Sequence, residues 1–246
     1  MKNLYYLLAF ATFFLQNCAQ PPLNWGDYKT TFADNFKDEL KRDHVVGAAY
    51  AVFDDKDVIW HDSYGFANKS TNEQAFFTTK FLIGSVTKVF TAVAILQMHE
   101  KSIIHIDSSV SFYLPEFAIH QRFKDSKPIT IRDVLTHHAG LPSDIFIHKF
   151  AEKPPYFSEI MNHVNKQYTC FPVGEIKSYS NIGYALLGII IERTSGMTYQ
   201  AYVENNILSP LHMEHSGFYL STEIKNDISY AYNMESEESV ELPIFD

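Results

Sequence analysis

Behind Lys2 the chain opens on an almost wholly apolar run, Leu4 to Leu15 (LYYLLAFATFFL). Its 12 residues match the apolar core of an export signal. They fall short of the roughly 20 needed to cross a bilayer as a helix. The pattern predicts a signal peptide over residues 1–17. The alternative is a buried N-terminal helix, which the lack of a polar face disfavours. Leu15-Gln16-Asn17-Cys18 resembles a bacterial lipobox, although Gln16 and Asn17 are larger than that pattern favours. The expectation is an exported, periplasmic or cell-envelope protein with Cys18 as a candidate site for a lipid anchor.

Pro21-Pro22 reads as a short linker. From about Tyr28 to Arg42, Phe32, Phe36 and Leu40 recur at four-residue steps and predict an amphipathic helix. Val45 to Phe53 and Val58 to Tyr64 are β-rich runs joined by the polar turn Asp54-Asp55-Lys56-Asp57, which predicts a hairpin. After Gly65 the period changes from two to about 3.6. Val86 to Met98 is apolar on nearly every face and predicts a helix buried all round. Thr130 with Asp133 forms a capping-box pattern at the start of a short helix that stops near Ala139-Gly140, with Pro142 beyond. Ile182, Ala185, Leu186, Ile189 and Ile190 follow helical spacing up to Ser195-Gly196, and Thr198 caps a further helix through about Leu208. Glu235, Glu237 and Glu238 read as a solvated loop. The outcome is an α+β domain over 18–246, with an antiparallel hairpin packed on a large helical region.

Composition narrows the function classes. Removing the leader leaves 246 − 17 = 229 residues, enough to build a core without disulfide staples. Hydrophobic residues at 46% against 20% charged mark a globular chain. The 15% aromatic share points to a dense interior or an aromatic-lined cleft. Twenty basic against 29 acidic residues give a net charge of −9 with no sizeable Lys/Arg cluster, so nucleic acid is not an expected partner. Two cysteines cannot form a zinc ribbon or a disulfide framework. With Cys18 lipidated, Cys170 reads as a buried small hydrophobe. The 11 histidines are scattered, with no H-E-x-x-H or His-x-His cluster, so neither a metal nor any other cofactor is expected. A nucleophile elbow, G-x-S-x-G, is also missing from the sequence.

Two short segments carry candidate chemistry. In Ser85-Val86-Thr87-Lys88 a serine stands three residues before a lysine at a helix start, so both side chains share one face. Desolvation in this apolar stretch would lower the pKa of Lys88, leaving an amine able to take the proton of a hydroxyl attacking a carbonyl. The plain alternative is Ser85 as a helix cap and Lys88 as a snorkelling surface residue. In Tyr179-Ser180-Asn181 a phenol and an amide stand two residues apart at another helix start. Tyr179 can relay a proton, and Asn181 can orient a lysine and bind a substrate carbonyl. The plain alternative there is a core tyrosine and a capping asparagine.

Together these segments resemble the serine β-lactamases and penicillin-binding proteins, in their class C-like branch with D-Ala-D-Ala carboxypeptidases and certain esterases. The likeness covers almost all of 18–246. Phe81-Leu82-Ile83-Gly84-Ser85-Val86-Thr87-Lys88 looks like the nucleophile segment, and Ile131 to Pro142 (IRDVLTHHAGLP) like a helix and turn of that family. Tyr179 to Gly188 (YSNIGYALLG) looks like its second catalytic motif. Ile207 to Met213 (ILSPLHM) resembles a further signature, with His212 where glycine is usual. The resemblance implies a β-lactamase/transpeptidase-like fold and acyl transfer through a covalent seryl ester on a β-lactam, D-alanyl peptide or ester. It makes Ser85 the nucleophile, Lys88 its base partner, Tyr179 a proton shuttle and Asn181 a holder of substrate and of Lys88. The Ser85 N–H would be one oxyanion donor. His137 and His138 are left with structural roles.

Relatives of this kind carry a third motif, Lys or His followed by Thr or Ser and Gly, on a strand lining the site. His215-Ser216-Gly217 matches it as a string, but 215 − 181 = 34 residues is too close to the second motif, and its context is a loop. The expectation is therefore a domain lacking its C-terminal strands, with only the N-terminal hairpin present, an unpaired edge and an uncovered apolar face. Activity would be weak or lost, since one oxyanion donor is worth roughly 100- to 1000-fold. The alternative function is a non-catalytic remnant or binding scaffold.

Overall fold

The computed structural model describes residues 25–144, 159–218, 227–235 and 238–242. The expected leader over 1–17, Cys18, Pro21-Pro22, Glu237 and Pro243 to Asp246 lie outside the described residues.

Among the described residues the first helix is α1 (Trp25–Arg42), which extends the expected one by three residues at its start. Its aromatic stripe meets the hairpin β1 (Gly47–Phe53) and β2 (Val58–Asn68). Phe32 stacks on Phe36 at 5.6 Å, and both meet Tyr50 edge-on at 5.6 and 4.7 Å. Trp60 closes the group, 5.6 Å from Phe32 and 5.1 Å from Tyr50. Such edge contacts suit ring quadrupoles. Lys37 pairs with Asp62 at 3.0 Å along the same contact. The hairpin is antiparallel, with Gly47 opposite Gly65 and Ala51 opposite His61. Its turn is closed by the Asp54 carboxylate, which accepts the N–H groups of Lys56 and Asp57 at 2.8 and 2.9 Å.

Three expectations about the sheet need correction. β2 does not stop at Tyr64, because its last residues pair with a two-residue strand β3 (Glu73–Gln74), Phe66 opposite Gln74 and Asn68 opposite Glu73. Asn68 makes the return turn by accepting the N–H groups of Ser70 and Thr71 at 2.9 and 3.3 Å. The sheet is thus β1-β2-β3 rather than a bare hairpin, and α1 lies against it. The acidic stretch read as a loop is instead a second hairpin, β4 (Ala231–Glu235) and β5 (Glu238–Leu242), with Glu235 opposite Glu238. Glutamates are poor strand formers and masked it. The approach to this hairpin runs beside β2: Tyr230 donates its N–H to Ala67 O at 2.9 Å, and the Tyr232 hydroxyl accepts the Lys69 N–H at 2.8 Å.

On the helical side, a tight turn at Gly84–Val86 leads into α2 (Thr87–Glu100). There follow α3 (Val110–Tyr113), α4 (Ile131–Leu135), α5 (Ile160–Val164), α6 (Asn181–Ser195) and α7 (Tyr199–Val203). The last continues as a wider helical turn over Glu204–Leu208. α6 is the axis of the core and touches α2, α3, α4, α5 and α7. Ile182, Leu186, Leu187, Ile190 and Ile191 along it are at most 1% exposed. α2 is not buried all round. Ala94, Ile95 and Met98 face the core, whereas Val86, Val89, Val93 and Leu96 are exposed. A uniformly apolar helix offers several stripes, and its sequence does not say which of them finds a neighbour. Cys170 likewise proves exposed. Tyr168, Thr169 and Cys170 alternate outward, inward, outward, and Thr169 takes the buried place.

The capping box forms as the sequence predicts. Thr130 Oγ1 accepts the Asp133 N–H at 3.1 Å, and the Asp133 carboxylate accepts the Thr130 N–H at 3.0 Å. Asp133 is buried and also receives Lys127 Nζ at 3.0 Å. Thr130→Ala is expected to cost about 1 kcal/mol. That lowers the melting temperature by roughly 2–4 °C in a domain of this size. Thermal unfolding followed by circular dichroism checks it, and an unchanged midpoint would contradict the cap.

Candidate active site

The start of α2 sets the first pair. Ser85 sits in the tight turn and Lys88 in the first helical turn, and Lys88 Nζ donates to Ser85 Oγ at 3.3 Å. The start of α6 sets the second pair. Here Ser180, not Asn181, is the cap: its hydroxyl accepts the Gly183 N–H at 3.0 Å and donates to Pro142 O at 2.7 Å. Asn181 is thereby released from capping. Its Oδ1 accepts Lys88 Nζ at 2.6 Å, and its Nδ2 donates to Asp144 Oδ2 at 2.9 Å. Tyr179 is not a core residue either. It is 45% exposed, and its hydroxyl donates to Ser85 Oγ at 2.8 Å. All four side chains singled out in the sequence therefore meet, although two helix starts 93 residues apart supply them.

The setting of Lys88 differs from the dry interior expected. The side chain is half-buried, with exposed Val86 and Val89 beside it. Its ammonium meets Asn181 Oδ1 and the ring faces of Tyr179 at 4.7 Å and Tyr184 at 5.7 Å. The perturbed acid of the cluster is Tyr179. The hydrogen bonds of Lys88 and then of Ser85 hold its phenol below the ordinary tyrosine value, because both favour the phenolate.

Three neighbours to which the sequence reading gave no part in the chemistry also shape the site. Asp144 fixes which way the Asn181 amide points. Tyr184 ties α6 to α4 by donating to Leu135 O at 2.9 Å. His137, in a left-handed backbone conformation (φ 63°), lays its ring against Tyr179 at 4.6 Å and Tyr184 at 5.1 Å. Loop residues carry no periodicity, so only the cluster HHAGLPSD before the second motif could have pointed to Asp144 and His137. His215-Ser216-Gly217 lies in an exposed, irregular stretch, as the spacing argued. Among the described residues no group of three or more His, Cys, Asp or Glu is placed to hold a metal ion, and no helix is long and apolar enough to cross a membrane.

Comparison with known proteins places this geometry. The Beta-lactamase family model matches residues 32–244. Penicillin-binding protein 4* of Bacillus subtilis (strain 168) is 30% identical over 203 residues, covering 78% of this chain and 43% of that protein. The octameric penicillin-binding protein homologue from Pyrococcus abyssi superposes with a TM-score of 0.73 at 27% identity, over 90% of this chain and 51% of that one. A class C β-lactamase shares the fold, with a TM-score of 0.75 at 24% identity over 92% of this chain and 60% of its own. The chain thus spans less than half the length of the curated relatives it matches. The β-lactamase/transpeptidase-like α+β fold, the serine–lysine helix start and the facing Tyr-Ser-Asn turn agree with a match that runs through most of the sequence: the chain belongs to the β-lactamase family, a family of serine hydrolase type.

Proposed function

We propose that this protein is an acyl hydrolase of the β-lactamase/D-Ala-D-Ala carboxypeptidase type, acting on a β-lactam, D-alanyl peptide or ester through a covalent ester on Ser85. The observation that carries this reading is the placement of Ser85 Oγ within hydrogen-bond reach of both Lys88 Nζ and the Tyr179 hydroxyl. A weak nucleophile needs a base at that distance, itself held by a third group. The proton balance runs through Tyr179. As phenolate it takes the Ser85 proton while Oγ bonds to the substrate carbonyl carbon and the carbonyl electrons move onto oxygen. Collapse of that intermediate expels the amine or alcohol, which takes the proton back from Tyr179. Water then attacks the seryl ester by the same route in reverse. The Lys88 charge beside Tyr179 stabilises the phenolate, and Asn181 Oδ1 keeps that charge in place. One N–H of the Asn181 amide is spent on Asp144, and its second N–H serves the substrate carbonyl. On this reading the Ser85 N–H serves as one oxyanion donor.

Incubation with a fluorophosphonate and, separately, with a labelled penicillin tests the proposal. A single adduct mapped to Ser85 by peptide mass spectrometry is expected. A well-folded sample that stays unlabelled by both reagents would favour the non-catalytic scaffold instead.

A further inference from the structure

His137 belongs to the turn after α4, outside both sequence motifs, yet it holds the segment carrying Tyr179 at three points. Its carbonyl oxygen accepts the Ser178 N–H at 2.8 Å. Its ring Nδ1 accepts the Ser180 N–H at 3.2 Å. Between those two residues its ring lies on the Tyr179 ring, 4.6 Å between centroids and tilted by 34°. The residues on both sides of Tyr179 are therefore bonded to the same histidine, and the phenol packs on it. The turn bearing His137 is itself fixed, since its N–H donates to Val134 O at 3.1 Å and that of His138 to Asp133 O at 2.7 Å.

We propose that His137 is a positioning residue for Tyr179, and that its neutral imidazole keeps the phenol oxygen at Ser85 while protonation of Nδ1 releases it. The inference rests on the acyl-hydrolase reading and names a device within that same site. An Nδ1 that accepts a backbone N–H must be unprotonated, so the proton of the neutral ring sits on Nε2. A second proton would set an N–H against the Ser180 N–H and break that hold. The groups facing the ring bear on this proton. Lys88 from α2 and Lys177 from the loop before α6 oppose a further positive charge, as does His138 alongside, while Tyr179 and Tyr184 enclose the ring. Asp144 acts on Tyr179, whose phenol its charge pushes upward. Burial and then the two lysines hold the imidazole below the ordinary histidine value, so it is neutral at pH 7 and charges only in acid.

The geometry yields a kinetic signature. If Tyr179 must be a phenolate and His137 must be neutral, the logarithm of the Ser85 labelling rate rises with slope one at neutral pH. In acid, where His137 takes up its second proton, that proton must also be lost and the slope steepens to two. His137→Asn tests this, since asparagine tolerates the left-handed backbone and its Oδ1 can accept the Ser180 N–H, but it neither stacks nor titrates. It is expected to label within about tenfold of wild type at pH 7 and to keep slope one down to pH 5, whereas His137→Ala loses roughly 10- to 100-fold through the missing bond and ring contact. A His137→Asn profile that still steepens, or a His137→Ala rate equal to wild type, would overturn the proposal. Circular dichroism at pH 5 establishes that each sample is folded. A readout without turnover separates the two readings. In protein labelled with carbon-13 tyrosine, the Tyr179 ring signal, assigned by its loss in Tyr179→Phe, is expected to shift as His137 titrates and to stay still in His137→Asn. Wild type that never labels but shows this shift rejects the hydrolase and keeps the positioning role. Wild type that labels without the shift does the reverse.

Discussion

Ser85→Ala is expected to abolish labelling outright, and Tyr179→Phe to slow it by roughly 100- to 10,000-fold, the range general base catalysis supplies. The two losses have different physical origins. Ser85→Ala removes the atom that forms the ester. Tyr179→Phe leaves Ser85 in place with Lys88 Nζ still 3.3 Å away, but removes the oxygen that takes its proton. The ring face that Lys88 meets survives in phenylalanine, so binding and folding change little. The pH dependence separates the cases further. The Tyr179 phenol is held below its ordinary value, so the phenolate fraction rises as pH rises toward that lowered value. The labelling rate follows it upward and then levels. Phenylalanine has no such proton, and the Tyr179→Phe residual rate should be flat across the same interval. Stopped-time labelling between pH 6 and 10 measures both. A Tyr179→Phe rate within a few-fold of wild type, or one retaining the rise, would move the base role to Lys88.

The parts legible in the sequence were those set by local rules. The capping box at Thr130 and Asp133, the apolar stripe of α6 and the polar hairpin turn at Asp54 each depend on residues within one or two helical turns, so spacing alone located them. The meeting of Ser85 and Lys88 with Tyr179 and Asn181 depends on two distant helix starts, and motif spacing signalled it only because both pairs are short and chemically distinctive. What failed was whatever depends on coverage. Val89 and Leu96 are as apolar as Ile95, yet only Ile95 is buried in the core. Lys88 inherits the same error, for its expected burial was inferred from those flanking valines. His137 was given only a structural role and Asp144 none, for another reason: both act from a loop, where neither period nor propensity marks a residue.

Gly140→Ala is expected to destabilise the domain by about 3 kcal/mol, against about 1 kcal/mol for Gly196→Ala. Both glycines are left-handed, at φ 65° and 71°. A Cβ on Gly196 would have nothing within 4 Å, so that substitution meets only the backbone cost of the left-handed region. A Cβ on Gly140 would stand 2.1 Å from the Phe171 carbonyl oxygen, and backbone cannot swing aside as a long side chain can. The neighbouring bond from the Cys170 N–H to Gly140 O, at 2.7 Å, would have to stretch as the two segments part. Melting temperatures should therefore fall by roughly 6–12 °C and 2–4 °C respectively. The difference also reaches the site. Gly140 joins the turn that carries His137 to the segment leading to Tyr179, whereas Gly196 ends α6 on its far side. Ser85 labelling at a temperature where both variants are folded should drop for Gly140→Ala and hold for Gly196→Ala. Equal melting temperatures, or equal labelling rates, would show that the close approach at Gly140 carries neither the stability nor the alignment assigned to it.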